Sequence, residues 1–324
     1  MIRGLSPRRL LSVGSILADI RLDVPALPQR GGDVLAGAAS VTAGGGFNIL
    51  AAAARQGLAA AFGGQHGTGP YGDRIRAELE AEGIAPLLAP REAGDSGFCL
   101  VLVEPDGERT FITSPGVEAV PSGGAPASLP LHADDALFVS GYDLCYPQLG
   151  PAIAAWLKQL PPGVLLTIDP GPLVGQIPSL LLASALGRTD ILTLNRREAG
   201  LLAGTPEPDE AARAILPLLP RSSLLVIRDG AAGCRLYGAE ATGAMVEPIA
   251  APHVTMIDST GAGDAHTGVL IASLAAGFSP REAAWRANVA AAIAVTRRGP
   301  ATAPTAAELD GFITAIRHHA VSGA

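Results

Sequence analysis

Hydrophobic residues in this chain fall in short unbroken runs that alternate with longer amphipathic or alanine-rich stretches. Five runs are predicted to be strands: LLSVGSI (10–16), ALFVS (136–140), VLLTID (164–169), DILTL (190–194) and SLLVIR (223–228). Helix-like spacing fills residues 70–82, 147–159 and 280–296. Because the runs are continuously apolar, both faces of each strand should be buried, as in a parallel sheet covered by helices. The pattern predicts an α/β fold with a doubly wound, mostly parallel sheet flanked by helices.

Two segments outside this rhythm have the alternating pattern of half-exposed strands, residues 19–41 and 97–113. The second contains PDG at 105–107, which is typical of a hairpin turn. We expect a small β-sheet lid over the carboxyl ends of the core strands, where open α/β folds bind ligands. The predicted division is a nucleotide- and substrate-binding core of residues 1–18, 42–95 and 115–324 and a lid of residues 19–41 and 96–114.

Composition and charge narrow the class of protein. The 324 residues are 48% hydrophobic and 16% charged, which is typical of a compact globular chain. A formal net charge of -7 gives no general attraction to nucleic acid or anionic membranes, so a small-molecule partner is favoured. No run reaches the roughly 20 apolar residues that a membrane span needs, and the basic amino terminus lacks a signal-peptide pattern. We therefore expect a cytoplasmic protein.

The stretch DSTGAGD (258–264) precedes a helical pattern that is predicted to begin near Gly263. Free backbone N–H groups at a helix amino terminus attract anions, and glycine lets a phosphate approach them closely. We expect an anion hole at Gly261, Ala262 and Gly263, with Asp264 as the base that takes a proton from an attacking hydroxyl. This combination indicates phosphoryl transfer to an alcohol. The structural alternative is that Asp264 only complements the helix dipole and the glycines only turn the chain.

A second glycine cluster, TAGGGFN (42–48), also leads into a helical pattern and places Asn48 in its first turns. It lacks the GxGxxG spacing of a dinucleotide-binding loop. The single lysine of the chain, Lys158, lies outside every motif. P-loop and protein-kinase mechanisms, which rely on a motif lysine, are therefore excluded.

Eight stretches, in order along nearly the whole chain, resemble the ribokinase-like carbohydrate kinases of the PfkB family. They are GSILADI (14–20), GGGFNILAAAARQG (44–57), GTGPYGDRIRAELEAEGI (67–84), PDGERTF (105–111), TLNRREA (193–199), IRDGAAG (227–233), DSTGAGDAHTG (258–268) and AAIAVTRRGPATAPT (291–305). The resemblance implies a ribokinase-like fold and a kinase that uses ATP and Mg²⁺ to phosphorylate a small sugar, which we expect to present a primary hydroxyl. It assigns Asp264 as the catalytic base and the neighbouring backbone N–H groups to the transferring phosphoryl group.

The resemblance also assigns residues to the acceptor. Asp19 and Asn48, with the backbone around Gly44 and Gly45, match positions that hold sugar hydroxyls, and carboxylate and amide groups suit that task. Tyr142 and Asp143 stand where many relatives have a glutamate that touches the sugar. A phosphorylated acceptor would need several converging arginines. The lid-region candidates are Arg21, Arg30, Arg91 and Arg109; we take Arg109 as a substrate-binding candidate and expect an unphosphorylated acceptor.

On the nucleotide side, Asn195 and Glu198 match the NxxE motif that organises Mg²⁺ through its waters. Their structural alternative is a helix cap with glutamate at the third position. Arg228, Gly230 and Gly233 match a turn near the ATP phosphates, which Gly263 also approaches. Asn288 matches a helix that flanks the adenine pocket; its alternative is a solvated helix position.

Finally, Asp258 and Thr260 match one of two loops that hold a monovalent cation, usually K⁺, in many members of the family. Backbone carbonyls near Ala294, Arg297, Gly299 and Ala303 would come from the second loop, and Ala303 replaces a serine often found there. Lid strands frequently pair between subunits in the family, so the resemblance implies a homodimer.

Three alternatives to a sugar kinase are considered. A nucleoside kinase of the same fold would perform the same chemistry on a ribose hydroxyl, and Phe98, Phe111 and Tyr142 could face a base or belong to the core. A nucleotide-binding sensor would keep the fold without turnover, but it would have no need for a base such as Asp264. A dinucleotide-dependent oxidoreductase is the third alternative.

Overall fold

The computed structural model describes residues 6–238 and 248–322. The strands within these residues are β1 (Arg9–Ser12), β2 (Ile16–Asp23), β3 (Ala39–Gly45), β4 (Ala59–Phe62), β5 (Ala85–Pro86), β6 (Phe98–Val103), β7 (Arg109–Ser114), β8 (Asp135–Ser140), β9 (Leu165–Asp169), β10 (Ile191–Asn195), β11 (Leu224–Arg228) and β12 (Cys234–Gly238). The α-helices are α1 (Gly46–Arg55), α2 (Pro70–Ala81), α3 (Gly141–Cys145), α4 (Leu149–Leu157), α5 (Ser179–Leu186), α6 (Arg196–Ala203), α7 (Pro208–Ile215), α8 (Ala262–Ala275), α9 (Pro280–Ala294) and α10 (Ala306–Ser322).

The main sheet has eight strands in the order β12-β11-β10-β9-β8-β1-β4-β5. All neighbours are parallel except β12, which runs antiparallel to β11. Consecutive side chains enter opposite layers: Leu11 and Leu166 pack with α4, α5 and α7, while Leu10 and Leu165 pack with α1, α8 and α9. Both faces are therefore buried, and the predicted doubly wound α/β core is confirmed.

The lid is a separate four-stranded sheet in the order β3-β2-β6-β7. The predicted hairpin joins β6 to β7, and Gly107 takes a positive φ of 86° in its turn. The strands extend beyond the predicted lid, because β2 begins at Ile16 and β3 continues to Gly45. The division into core and lid stays a prediction, and residues 1–5, 239–247 and 323–324 of the predicted core lie outside the described residues.

The first predicted strand, residues 10–16, is wrong as a single element. Strand β1 ends at Ser12 and the chain turns before β2 begins in the other sheet. The buried carboxylate of Asp143 holds this turn, since its Oδ1 accepts from the amide of Ser15 at 2.8 Å and from the hydroxyl of Ser15 at 2.7 Å. A Cβ on Gly14 would lie 1.6 Å from that carboxylate, so the turn requires glycine.

Other predicted elements lie close to their observed positions. The helical patterns at 70–82 and 280–296 correspond to α2 and α9, whereas 147–159 covers only α4, with the short α3 before it. Strands β4, β5 and β12 had not been predicted. Within residues 6–238 and 248–322, no helix combines the length and the apolar character needed to cross a membrane.

Candidate active site

The two glycine-rich motifs meet at the carboxyl edge of the main sheet, where α1 packs beside α8. Nδ2 of Asn48, in the first turn of α1, donates to Oδ2 of Asp264, in the first turn of α8, at 2.9 Å. Asn48 is 6% exposed, and its Oδ1 has no hydrogen-bond partner among the described residues. A buried acceptor without a donor is costly, so Oδ1 suits a hydroxyl donor of a ligand.

Two carboxyl groups beside this contact have raised pKa values. Burial raises the pKa of Asp264 to about 6. The hydrogen bond from Asn48 acts in the opposite direction and lowers this pKa, whereas the nearby charge of Asp169 raises it further. Burial, together with the charges of Asp264 and Glu78, raises the pKa of Asp19 to about 7. Both groups therefore titrate near neutral pH, the range in which a general base is most effective.

The glycines of the second cluster are required by the close approach of Asp19. A Cβ on Gly44 would lie 2.0 Å from Oδ2 of Asp19. Gly45 has a φ of 63°, and its Cβ would lie 2.9 Å from the carbonyl oxygen of Ser15. The backbone at Gly44 thus lies against Asp19 at the entrance of α1, and Gly45 lies against the backbone of Ser15.

Helix α8 begins at Ala262, one residue before the predicted start, with Gly261 as its N-cap. Gly261 has a left-handed φ of 73°, and a Cβ there would lie 1.8 Å from the carbonyl oxygen of Pro300. The amide of Ala262 donates to the carbonyl of Ser259 at 3.3 Å, a long hydrogen bond. The amides of the first helical turn have no partner within the helix, as an anion hole requires.

Arg228, at the end of β11, connects this helix to two acids. Its Nη2 lies 2.9 Å from Oδ2 of Asp169 and 3.7 Å from Oε2 of Glu198. Its Nη1 donates to the carbonyl of Gly263 and to Oγ1 of Thr267, both at 3.1 Å. Arg228 therefore holds the first turn of α8 and neutralises the acidic groups beside it.

Asp169 is a site residue that the sequence analysis missed. It is the last residue of β9. Strand β10, which ends at Asn195, lies directly beside β9, and β11, which ends at Arg228, lies on the far side of β10. The available signal was its position as the last residue of a buried parallel strand, because ligands bind at the carboxyl ends of such strands.

Asn195 and Glu198 form a reciprocal capping box at the start of α6. Oδ1 of Asn195 accepts from the amide of Glu198 at 2.9 Å, and Oε2 of Glu198 accepts from the amide of Asn195 at 2.8 Å. The structural alternative for this pair is thus confirmed, although Glu198 also faces Arg228. Burial and the charge of Asp169 raise the pKa of Glu198, and the positive charge of Arg228, which lowers this pKa, only partly offsets them.

The side chains of Asp169 and Glu198 fit a Mg²⁺ ion held through its own waters. Their donors are oxygens, which Mg²⁺ prefers, and Asp169 and Glu198 are close enough to Asp264 to raise its pKa. In the described ranges, no group of three histidine, cysteine or acidic side chains is arranged to hold a metal directly. Mg²⁺ retains several waters in protein sites, so a direct cluster is not needed.

The predicted turn near the nucleotide phosphates contains two glycines with positive φ, 56° at Gly230 and 94° at Gly233. A Cβ on Gly233 would lie 2.0 Å from the carbonyl oxygen of Ile249. The same carbonyl accepts from Nδ2 of Asn288 at 2.8 Å. Asn288 is 3% exposed, so its alternative as a solvated helix position is wrong.

Two acceptor candidates have other roles in the structure. Asp143 is buried, and its carboxylate supports the 13–15 turn and caps α3. Arg109 does not point into an open cleft; it donates to Oγ1 of Thr260 at 2.6 Å and to Oγ of Ser259 at 2.9 Å. The sequence could not reveal the contact of Asp143 with Ser15 or that of Arg109 with Thr260, since each joins residues more than 100 positions apart.

The predicted cation-site residues Asp258, Thr260 and Gly299 come together, since the amides of Thr260 and Gly299 donate to the Asp258 carboxylate at 2.9 and 3.2 Å. The side chain of Arg297 turns elsewhere and donates to Glu308 at 2.7 Å.

A cavity of about 300 Å³ lies between the lid and the 299–300 loop, lined by Asp19, Arg21, Thr42, Val101 and Thr260 among others. Of the aromatic candidates, Phe98 packs against Tyr71 with ring centroids 5.5 Å apart. Phe111 is 56% exposed on the lid and Tyr142 is 42% exposed.

Comparison with known proteins decides the family. The model described as "pfkB family carbohydrate kinase" matches residues 7–307. The chain belongs to the PfkB carbohydrate kinase family. It is accordingly a phosphotransferase with an alcohol group as acceptor and, within that class, a sugar kinase. The family assignment made from the eight stretches is confirmed.

Two named relatives and one solved structure are similar to this PfkB kinase over almost their full length. It is 35% identical over 313 residues to the "uncharacterized sugar kinase YegV" of Escherichia coli (strain K12), covering 93% of this chain and 92% of the relative. It is 29% identical over 310 residues to the ATP-dependent ribose-1-phosphate kinase of Halopiger xanaduensis, covering 94% and 98%. The ribokinase structure from Thermotoga maritima matches with a TM-score of 0.79 at 23% identity, covering 94% of this chain and 99% of that one. The last match confirms the ribokinase-like fold.

Proposed function

We propose that this PfkB kinase transfers the γ-phosphoryl group of ATP to a primary hydroxyl of a small, unphosphorylated sugar. One observation carries the proposal: Asp264 stands in the first turn of α8 with a pKa raised to about 6 by burial, and it is bonded to the buried Asn48. A carboxylate of this kind, beside the amides of a helix start that have no partner within the helix, can accept a hydroxyl proton while the amides stabilise negative charge.

In the proposed reaction, the acceptor oxygen attacks the γ-phosphorus while Asp264 takes the hydroxyl proton. The bond between the γ-phosphorus and the bridging oxygen breaks, and its electron pair leaves with ADP. Asp264 then returns the proton to solvent. The backbone amides of Gly261–Gly263 stabilise the charge of the transferring group, and Arg228 positions them through the carbonyl of Gly263 at 3.1 Å.

Asn195 and Glu198, with Asp169, would hold Mg²⁺ through its waters, and the ion would neutralise phosphate charge. Gly230, Gly233 and the buried Asn288 would line the nucleotide on the other side of Arg228. The name of the Halopiger xanaduensis relative, an ATP-dependent kinase, supports ATP as the phosphoryl donor.

Asp19 and Asn48 are proposed to bind acceptor hydroxyls. The engagement of the lid-region arginines supports an unphosphorylated acceptor: Arg21 and Arg109 bind the 258–260 loop, and Arg91 donates to the backbone carbonyls of Val117 and Val120. Of these three, only Arg21 lines the cavity beside Asp19, and its guanidinium is bound to Asp258. Because one relative is named a ribose-1-phosphate kinase, that phosphosugar belongs in the substrate test.

The test is release of ADP from ATP and Mg²⁺ with a panel of pentoses, hexoses, nucleosides and ribose 1-phosphate. We expect turnover with an unphosphorylated sugar and loss of turnover in Asp264→Asn. Turnover only with nucleosides or only with ribose 1-phosphate would contradict the proposed acceptor. An inert wild type across the panel, or an unimpaired Asp264→Asn, would contradict the proposed reaction.

We also propose a homodimer formed through the lid. Its sheet exposes apolar side chains, 56% at Phe111, 55% at Ile112 and 39% at Val41. Ile112 and Val41 lie on one face of this sheet, whereas Phe111 lies on the opposite face with Val101, which lines the cavity. Exposed apolar side chains that share a face often mark protein interfaces. Light scattering after size exclusion should give twice the 32.7 kDa chain mass, and Val41→Ser with Ile112→Ser should shift the protein to monomer.

A further inference from the structure

Two lid arginines are bound to the loop that precedes the predicted anion hole. Nη1 of Arg21, on β2, donates to Oδ2 of Asp258 at 2.7 Å. Arg109, on β7, donates to Oγ1 of Thr260 at 2.6 Å and to Oγ of Ser259 at 2.9 Å, and its Nη1 lies 3.7 Å from Oδ1 of Asp258. The side chain of Asp258 is 10% exposed, so its negative charge is met mainly by these two positive charges.

The monovalent cation implied by the family resemblance does not fit this arrangement. Oδ1 of Asp258 accepts from the amide and the hydroxyl of Thr260, at 2.9 and 2.6 Å. Oδ2 accepts from Arg21 and from the amide of Gly299, at 2.7 and 3.2 Å. The carboxylate is thus engaged by protein donors, and a further cation beside it would be repelled by the guanidinium groups.

Three of the four expected carbonyl ligands, those of Ala294, Gly299 and Ala303, are engaged as well. Oγ1 of Thr302 donates to the carbonyl of Ala294 at 3.1 Å and approaches that of Gly299 at 3.4 Å. Nη1 of Arg55 donates to the carbonyl of Ala303 at 2.9 Å. Potassium needs a set of oxygen ligands that replaces its hydration shell. Here three of the four carbonyl oxygens already have protein donors.

We propose that Arg21 and Arg109 are positioning residues that take the place of the monovalent cation at Asp258, so that the enzyme does not require K⁺. They hold the 258–260 loop, and through it the backbone donors that begin at Gly261. Because both arginines belong to the lid, the anion hole is fully held only while the lid contacts this loop. Assembly of the catalytic loop is thereby coupled to the position of the lid.

The first test is the melting temperature of the ligand-free protein in potassium chloride and in tetramethylammonium chloride of equal ionic strength. Wild type should melt at the same temperature in both salts. A bound cation present at about a hundredfold excess over its Kd would instead raise the melting temperature by about 4 °C. Such a potassium-specific rise in wild type would overturn the proposal.

The second test is ADP affinity in the same two salts, measured by calorimetry with Arg21→Gln, Arg21→Lys and Arg109→Gln. The control is Arg30→Gln, which removes an exposed arginine in the β2–β3 connection. In tetramethylammonium chloride, both glutamine variants should bind ADP about tenfold more weakly, because each removes one of the two positive partners of the 258–260 loop. Arg21→Lys keeps the charge and should retain most of the affinity, and potassium should partly restore Arg21→Gln.

A purely structural role for Arg21 would affect the lysine and glutamine variants alike and would be insensitive to potassium, so that result would refute the proposal. Glutamine variants that behave like Arg30→Gln would refute it too. This second test rests on the proposed nucleotide site: if wild type binds ADP in neither salt, that site is wrong, while the melting temperatures still decide the potassium question.

Discussion

Replacing Asp264 by asparagine should abolish turnover and yet stabilise the protein at neutral and alkaline pH. Asparagine has the same shape, and its Oδ1 can still accept from Nδ2 of Asn48, which now donates at 2.9 Å to Oδ2 of Asp264. The change therefore removes the charge and the proton acceptor without opening a cavity. Loss of a general base lowers the rate by about 10²- to 10⁴-fold, so kcat should fall by that factor.

The stability gain follows from the raised pKa of Asp264. Its folded-state pKa of about 6 lies above the ordinary value of 3.8, so the group favours the folded state below about pH 4 and this contribution is lost as the pH rises through 6. At about 1.4 kcal/mol per pH unit, the ionised group costs at most about 3 kcal/mol at pH 8, or about 2 kcal/mol after allowance for its partial exposure. Asparagine removes this cost.

The assay combines ADP release with thermal melting at pH 8 and pH 5. With an unfolding entropy of about 2.1 cal/mol/K per residue, about 2 kcal/mol corresponds to a rise of about 3 °C in this chain at pH 8, shrinking to roughly half at pH 5. The control Asp134→Asn removes a carboxylate that is 50% exposed in an ion pair with Arg8, and it should change neither kcat nor the melting temperature appreciably. Unchanged kcat in Asp264→Asn would contradict the role of Asp264 as base. A lower melting temperature of this variant at pH 8 would contradict the cost assigned to its buried charge.

Three further predictions concern the same site. In wild type, kcat/KM should rise about tenfold per pH unit up to about pH 6 and then level off, because Asp264 must be ionised to act as base; a flat profile down to pH 5 would contradict this role. Gly261→Ala should lower kcat by about 10²-fold or more, since its Cβ would lie 1.8 Å from the carbonyl oxygen of Pro300. The control Gly277→Ala has a similar φ of 86° but places its Cβ in open space, so this variant should keep its kcat and lose only stability. Gly44→Ala should raise the KM for the sugar in steady-state assays, since its Cβ would lie 2.0 Å from the carboxylate of Asp19, which is proposed to bind the acceptor. The control Gly311→Ala places its Cβ in open space and should leave KM unchanged. Equal KM values in the two variants would count against this acceptor site.

The sequence by itself identified the two glycine-rich helix starts and the family. These features are local: Asp264 comes three positions after Gly261, and Asn48 comes four positions after Gly44, so chain order already indicates which side chain stands in the first helical turn. Continuous apolar runs also sufficed for the central strands, because a strand buried on both faces has no polar alternation. The family match over residues 7–307 agrees with this local information.

Short elements escaped the sequence for a physical reason. Strand β5 has two residues, Ala85–Pro86, and its pairing depends on the neighbouring β4 rather than on its own pattern. The break between β1 and β2 depends likewise on Asp143, a residue 128 positions from Ser15 in the chain.

Only the tertiary structure decided which charges meet. Asp169, Glu198 and Arg228 end or follow different strands, and their contact arises because parallel strands bring their carboxyl ends to one edge. Arg21 reaches Asp258 across 237 positions of sequence. Charge pairing across such separations depends on distances of a few ångströms, which cannot be read from residue order, whereas a glycine-rich helix start can be recognised from the neighbouring residues.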